Sequence, residues 1–144
     1  MKLKLLLLSM LVSLSGCEKI GQKALDSTPN PSIQQEHVAQ IAYDDLRQGQ
    51  LEELKKHFEP ELKNYYDQNE KEMMKFVKLL PQENYKSKKI VAKKFENSTS
   101  SPSLYTVTYE YSYPKRLVQY DVSFDKAGGS TQIRDFNVNV YGGF

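Results

Sequence analysis

Two runs of different period along the 144-residue chain predict an α+β domain. Between residues 32 and 80 the apolar side chains recur at helical spacing, and from about residue 86 they alternate as strands do. Polar stretches bearing Gly, Pro and Ser separate the runs. Helices first and a strand meander afterwards predict N-terminal helices packed on one face of a four-stranded antiparallel sheet.

The first helix is expected to start near Asn30 or Ser32. Asn30 followed by Pro31 is a good N-cap and first-turn pair, and Ser32 with Gln35 makes an alternative capping box. Val38, Ile41, Ala42 and Leu46 share its apolar face, and Gly49 supplies a stop. Leu51, Leu54 and Phe58 continue as a short second helix that Pro60 ends. A third helix runs from Pro60 to the residues before Pro81, with Leu62, Tyr66, Met73, Phe76, Val77 and Leu80 on one face. Lys86 to Phe95 reads as a strand, and 97–102 as a Ser-rich turn. In Leu104 to Tyr113 one parity carries Tyr105, Val107, Tyr109, Tyr111 and Tyr113, while the other carries Leu104, Thr106, Thr108, Glu110 and Ser112. That is a strand with one buried and one wet face. Val118, Tyr120, Val122 and Phe124 mark the next strand, and Phe136, Val138 and Val140 the last. Tyr113, beside Pro114, is expected at the rim of the core with its hydroxyl in water.

The N-terminal residues carry an address. Lys2 and Lys4 precede an apolar run from Leu5 to Leu14. That run is the size of a signal-peptide core, and shorter than the roughly 20 residues a membrane span needs. It ends in Leu14-Ser15-Gly16-Cys17, and Cys17 is the only cysteine. This resembles the lipobox of bacterial lipoproteins. The resemblance implies cleavage before Cys17, a diacylglycerol thioether on its sulfur and acylation, palmitate being typical, of its new amine. It also implies a protein anchored to a membrane of the cell envelope through that lipid. In that family an Asp after the cysteine marks inner-membrane retention; Glu18 stands here, which implies the outer membrane, facing the periplasm, in a Gram-negative envelope. The chain then divides into a lipoprotein signal peptide at 1–16, the lipidated Cys17 with a flexible tether at 17–31, and a domain at 32–144. Without Lys2 and Lys4 the 20 basic residues fall to 18, equal to the 18 acids. A neutral protein outside the cytoplasm gives no reason to expect a nucleic-acid partner.

Three helices, then strands closing on Val122-Ser123-Phe124-Asp125 and Ile133-Arg134-Asp135-Phe136-Asn137-Val138, resemble the NTF2-like (cystatin-like, SnoaL-like) superfamily over about residues 32–144. The resemblance implies a cone in which helices cover the concave side of the sheet. Its members include enzymes and non-enzymatic modules, so fold alone does not select a function.

Chemistry-bearing motifs are few. His37 and His57 are twenty residues apart, without a free cysteine to join them, and read as surface residues rather than zinc ligands. Ser112-Tyr113-Pro114-Lys115 and Ser123-Phe124-Asp125-Lys126 have the S-x-x-K spacing of serine acyl-enzymes. Both fall at strand ends, where residues three apart face opposite ways. Glu110, Asp121 and Asp135 are the strand carboxylates placed to serve as a general base if one were buried in a pocket; each reads more simply as a solvent-facing residue. No catalytic residue, metal site or cofactor is expected.

The ten tyrosines, in a chain without tryptophan, are the most unusual feature. Tyrosine suits a half-buried sheet and is also enriched at binding hot spots. Tyr109, Tyr111, Tyr113 and Tyr120 are therefore the candidate binding surface. Charge is segregated too: residues 36–70 hold nine acids and four bases, residues 71–94 eight bases and two acids. The first expectation for function is a non-enzymatic binding module of the envelope. Its partner would be an envelope protein, a secreted toxin in an immunity role, or a cell-wall component. The alternative is a small NTF2-like enzyme or ligand carrier with a pocket between helices and sheet.

Overall fold

A computed structural model of the protein describes residues 25–143. Residues 1–16, read above as a signal peptide, and Cys17 lie outside the described residues. Helix α1 (Ile33–Gln48) starts at the capping box: Ser32 accepts from the Gln35 backbone, and the Gln35 side chain accepts from the Ser32 N–H. Gly49, at φ 71°, closes the helix in the left-handed conformation that favours glycine. Helix α2 (Leu51–Lys55) follows at once.

The third helix is two. Helices α3 (Pro60–Gln68) and α4 (Glu70–Leu79) meet at Asn69, whose backbone sits at φ −127°, ψ 39°. Its side-chain amide donates to the Tyr65 carbonyl at 2.8 Å, taking an acceptor that a continuing helix would use. The apolar face nonetheless runs across the break. Leu62, Tyr66, Met73 and Leu80 are buried, and Phe76 and Val77 pack against them.

Strands β1 (Ser87–Glu96), β2 (Leu104–Ser112), β3 (Arg116–Phe124) and β4 (Asp135–Gly142) form an antiparallel sheet in sequence order. A bulge between Ile90 and Ala92 shifts the β1 register. Before it Lys88 and Ile90 pair with Tyr111 and Tyr109; after it Lys93 and Phe95 pair with Val107 and Tyr105. Because directly opposed residues share a face, all four stand on the helix side. A single alternation phase would have put Lys93 and Phe95 on the other.

The helices cover one face of the sheet. Its core is Tyr105, Val107, Tyr109 and Tyr111 from β2, Val118, Tyr120, Val122 and Phe124 from β3, and Phe136 and Val138 from β4, packed with Ala39, Ala42, Tyr43 and Leu46 of α1. On the opposite face Thr106, Thr108, Glu110, Gln119 and Asp121 stay partly accessible. The chain between α2 and α3 clamps the β3–β4 loop: Ile133 donates to the His57 carbonyl at 2.8 Å, and Glu59 donates to the Ile133 carbonyl at 2.9 Å. Among the described residues no helix is long and apolar enough to cross a membrane.

The last residues assigned to the tether are docked. Pro31 is buried. Tyr105 Oη donates to the Pro29 carbonyl, and Lys93 Nζ donates to the Thr28 carbonyl and, at 2.8 Å, to Asn30 Oδ1. The folded body therefore begins near residue 28, four residues earlier than helix periodicity alone indicates.

Candidate functional site

The four tyrosines of the candidate binding surface are interior residues. Tyr111 is fully buried, Tyr109 and Tyr120 are 1% exposed and Tyr113 is 4% exposed. Their parity with Val107 and Val122 places them under the helices, where they supply core area instead of a contact patch. Tyr113 is not at a wet rim: its hydroxyl shares a 2.7 Å hydrogen bond with that of Tyr43. Tyr43 stacks flat on Tyr111, with ring centroids 3.9 Å apart and planes 7° from parallel. Tyr85 meets both Tyr111 and Tyr113 edge-on. The space between α1 and the sheet, where a cone-shaped fold can hold a ligand, is thus filled by rings.

What polar chemistry the helix side retains lies at its β1 margin. Lys88 reaches inward from β1, 4.6 Å above the Tyr109 ring, and donates to Gln40 Oε1 at 2.8 Å. Tyr111 Oη donates to the same oxygen at 3.2 Å, and Gln40 Nε2 donates to Asp44 Oδ2 at 3.0 Å. Burial draws the Lys88 ammonium below its ordinary value, against the pull of Glu36 and Asp44. Glu36, Lys88, Lys89, Ile90 and Tyr109 line a groove of about 160 Å³. The buried hydroxyl of Tyr109 has no hydrogen-bond partner. An ammonium and a phenol can bind an acceptor.

The strand carboxylates do not enter this groove. Glu110 lies on the open face of the sheet, 3.2 Å from Lys89 Nζ. Asp121, also on the open face, accepts from the Thr108 hydroxyl at 2.6 Å. Asp135 accepts from the Phe136 N–H at 2.9 Å, and burial pushes its carboxyl above the ordinary range. It lines a separate cleft of about 260 Å³ with Glu59, Glu61, Leu62 and Arg134. There the Arg134 Nε–H is shared by both Glu59 oxygens, at 2.9 and 3.1 Å, and an Nη1–H goes to the Ser103 carbonyl. The guanidinium is thus engaged in joining the loop to α3.

His37 is exposed on α1. His57 lies on the turn after α2, with Nε2 3.7 Å from Asp45 Oδ2. Among the described residues no group of three or more His, Cys, Asp or Glu side chains could hold a metal ion. Both S-x-x-K strings lie where a strand ends. The residues that sequence reasoning missed are Gln40, Tyr43 and Lys88, together with the bonds of Gln35 to the loop at 126–130. Lys88 had a visible signal, since it shares a parity with Ile90; Gln40 and Tyr43 lie beside the apolar helix face, and only packing shows their roles.

Comparison of the chain with family models, curated proteins and solved structures finds no match.

Proposed function

We propose that the protein is an envelope lipoprotein, anchored by lipid on Cys17, whose domain is an NTF2-like cone acting as a non-enzymatic binding module. The anchor reading is supported by the Leu14-Ser15-Gly16-Cys17 motif behind its short apolar run. The cone reading is supported by helices on one face of an antiparallel sheet and by the bulge that bends β1. The observation that carries the module reading is the filled interior: Tyr43, fully buried, lies against Tyr111 where an enzyme of this shape would keep its substrate. What remains for recognition is the outside, and one regular surface there is the open sheet face. There Thr108–Asp121 and Lys89–Glu110 pair across strands, beside Thr106, which bonds the buried Ser123. Such a surface suits an envelope protein or cell-wall partner that brings its own hydrogen-bonding groups. A tether raises the effective concentration of the module toward anything on the same membrane.

Metabolic labelling with an alkyne fatty acid tests the anchor. The wild-type chain is expected to take up label and lose residues 1–16, and Cys17→Ser to remain an unlabelled precursor. Equal labelling of the two would overturn the assignment. A second reading, a carrier of a small anionic ligand, is favoured by the unpartnered Tyr109 hydroxyl beside Lys88. Thermal stabilisation by small carboxylic acids that is lost in Lys88→Met would select it.

A further inference from the structure

We propose that the end of the domain where residues 25–31 join it rests on the lipid bilayer, with Ile33 and Phe95 as the side chains that enter the interface. This rests on the lipoprotein reading above and adds an orientation to it.

Two of the large apolar residues that the fold leaves exposed belong to this end. Ile33, in the first turn of α1, is 83% exposed, and Phe95, near the end of β1, is 53% exposed. Several contacts fix their common location. Phe95 pairs with Tyr105, whose hydroxyl holds the Pro29 carbonyl. Gln35, on the other side of the same turn from Ile33, donates to the carbonyls of Lys126 and Ser130, which places the start of α1 at that loop. Ser27, Thr28, Pro29, Phe95, Tyr105, Lys126 and Ala127 line one hollow of about 450 Å³. The chain therefore enters the domain beside Phe95, at the end where α1 starts.

The length of chain outside the structure argues for the bilayer as occupant. The eight residues from Glu18 to Leu25 can span at most about 29 Å. Lipid on Cys17 keeps this end within that distance of the membrane. The opposite end, where Tyr141 is 51% exposed, lies farther off by the length of β2, about 30 Å for its 9 residues. Aromatic and aliphatic side chains on a polar background are what an interfacial contact requires. Charge contributes little: Lys93, Lys94 and Lys126 are matched in number by Glu36, Glu96 and Asp125, and Lys94 is ion-paired with Glu96. The contact is therefore expected to persist at high salt and not to require anionic lipid.

The chain contains no tryptophan, so one introduced residue reports its own position. The lipidated full-length protein, carrying Phe95→Trp, Ile33→Trp or Tyr141→Trp, is reconstituted into phosphatidylethanolamine/phosphatidylglycerol vesicles containing lipids brominated high on the acyl chain. All three sites are exposed, so all three variants are expected to fold. The expected result is strong quenching of the Trp at 95 and 33, little at 141, and no change with added salt. Protein that floats with the vesicles but shows equal or no quenching at 95 and 141 overturns the orientation while leaving the anchor intact. A blue-shifted Trp at 95 that lipid does not quench overturns it in favour of a protein, or a second copy, covering that end. Wild-type protein that fails to float overturns anchor and orientation together.

Discussion

Tyr43 does two things with one side chain. Its ring stacks on Tyr111 and tilts against Tyr120, and its hydroxyl pairs with Tyr113 inside the core. Truncation in Tyr43→Ala is expected to cost about 3–5 kcal/mol, the range of large aromatic deletions. Tyr43→Phe keeps the ring and leaves the Tyr113 hydroxyl buried without a partner, at about 1–3 kcal/mol. Denaturant midpoints of the two variants check both; a Phe variant as unstable as the Ala variant would show that the hydroxyl pair outweighs the stack. Gln35 is the other residue on which much turns. Its side chain completes the α1 cap and also accepts from Gly128 N–H at 2.9 Å while donating to the Lys126 and Ser130 carbonyls. Gln35→Ala removes all of these and is expected to cost about 2–4 kcal/mol, more than loss of a cap alone. Amide exchange in residues 126–130 should rise with it. The cap was legible from Ser32 and Gln35 in sequence, because it is a local motif. The bonds to a loop some ninety residues away were not, because sequence spacing carries no information about them.

At the scale of elements, period revealed most of what is there. The alternation in β2 and β3 placed every core residue of those strands, because the side-chain period of a strand is fixed at two. The apolar spacing of α1 points toward Val38 and Ile41, whereas the buried stripe is Gln35, Ala39, Ala42, Tyr43 and Leu46, because the fold finds partners inside for a tyrosine and a glutamine. Neither the break at Asn69 nor the β1 bulge has a period to betray it. The short helix α2 is held to α3 by Lys55, whose ammonium is 2.8 Å from Asp67 Oδ1 and 2.6 Å from Glu52 Oε1. Lys63 adds a contact at 2.7 Å to the other Asp67 oxygen. Hydrogen bonds from Lys55 and Lys63 hold the Asp67 carboxyl below its ordinary 3.8. A depressed acid contributes stability that is complete above its unfolded value and is lost as pH falls through the folded one. Asp67→Asn is thus expected to lower the denaturant midpoint near neutrality. The gap to wild type should close as the pH falls below 3.8. A gap independent of pH would mean that the loss comes from packing and not from charge.

For the whole molecule, the binding surface inferred from tyrosine content was the part that sequence did not yield. Sequence shows that tyrosine is abundant, while burial decides whether the rings recognise a partner or fill the core. The extent of the folded body was likewise underestimated, since residues 28–31 have no period and are held by the acceptors they offer to Lys93 and Tyr105. A domain beginning at Ser32 is therefore expected to melt below one beginning at Ser27; coincident melts would show that those contacts add nothing. The tyrosine-filled interior has a further consequence, for alkaline solution. Burial pushes the hydroxyls of Tyr66 and Tyr105 up to about 12 and holds those of Tyr43, Tyr109, Tyr111, Tyr113 and Tyr120 above their ordinary 10.0. The unfolded chain releases these protons first, so the stability they represent is complete below pH 10.0 and is lost as pH rises toward the folded values. Each contributes up to about 1.4 kcal/mol per pH unit across that window. In a base titration tyrosinate absorbance should show a small gradual rise from the exposed rings. A single cooperative step should follow, coincident with loss of circular dichroism, as the fold gives up its phenolic protons together.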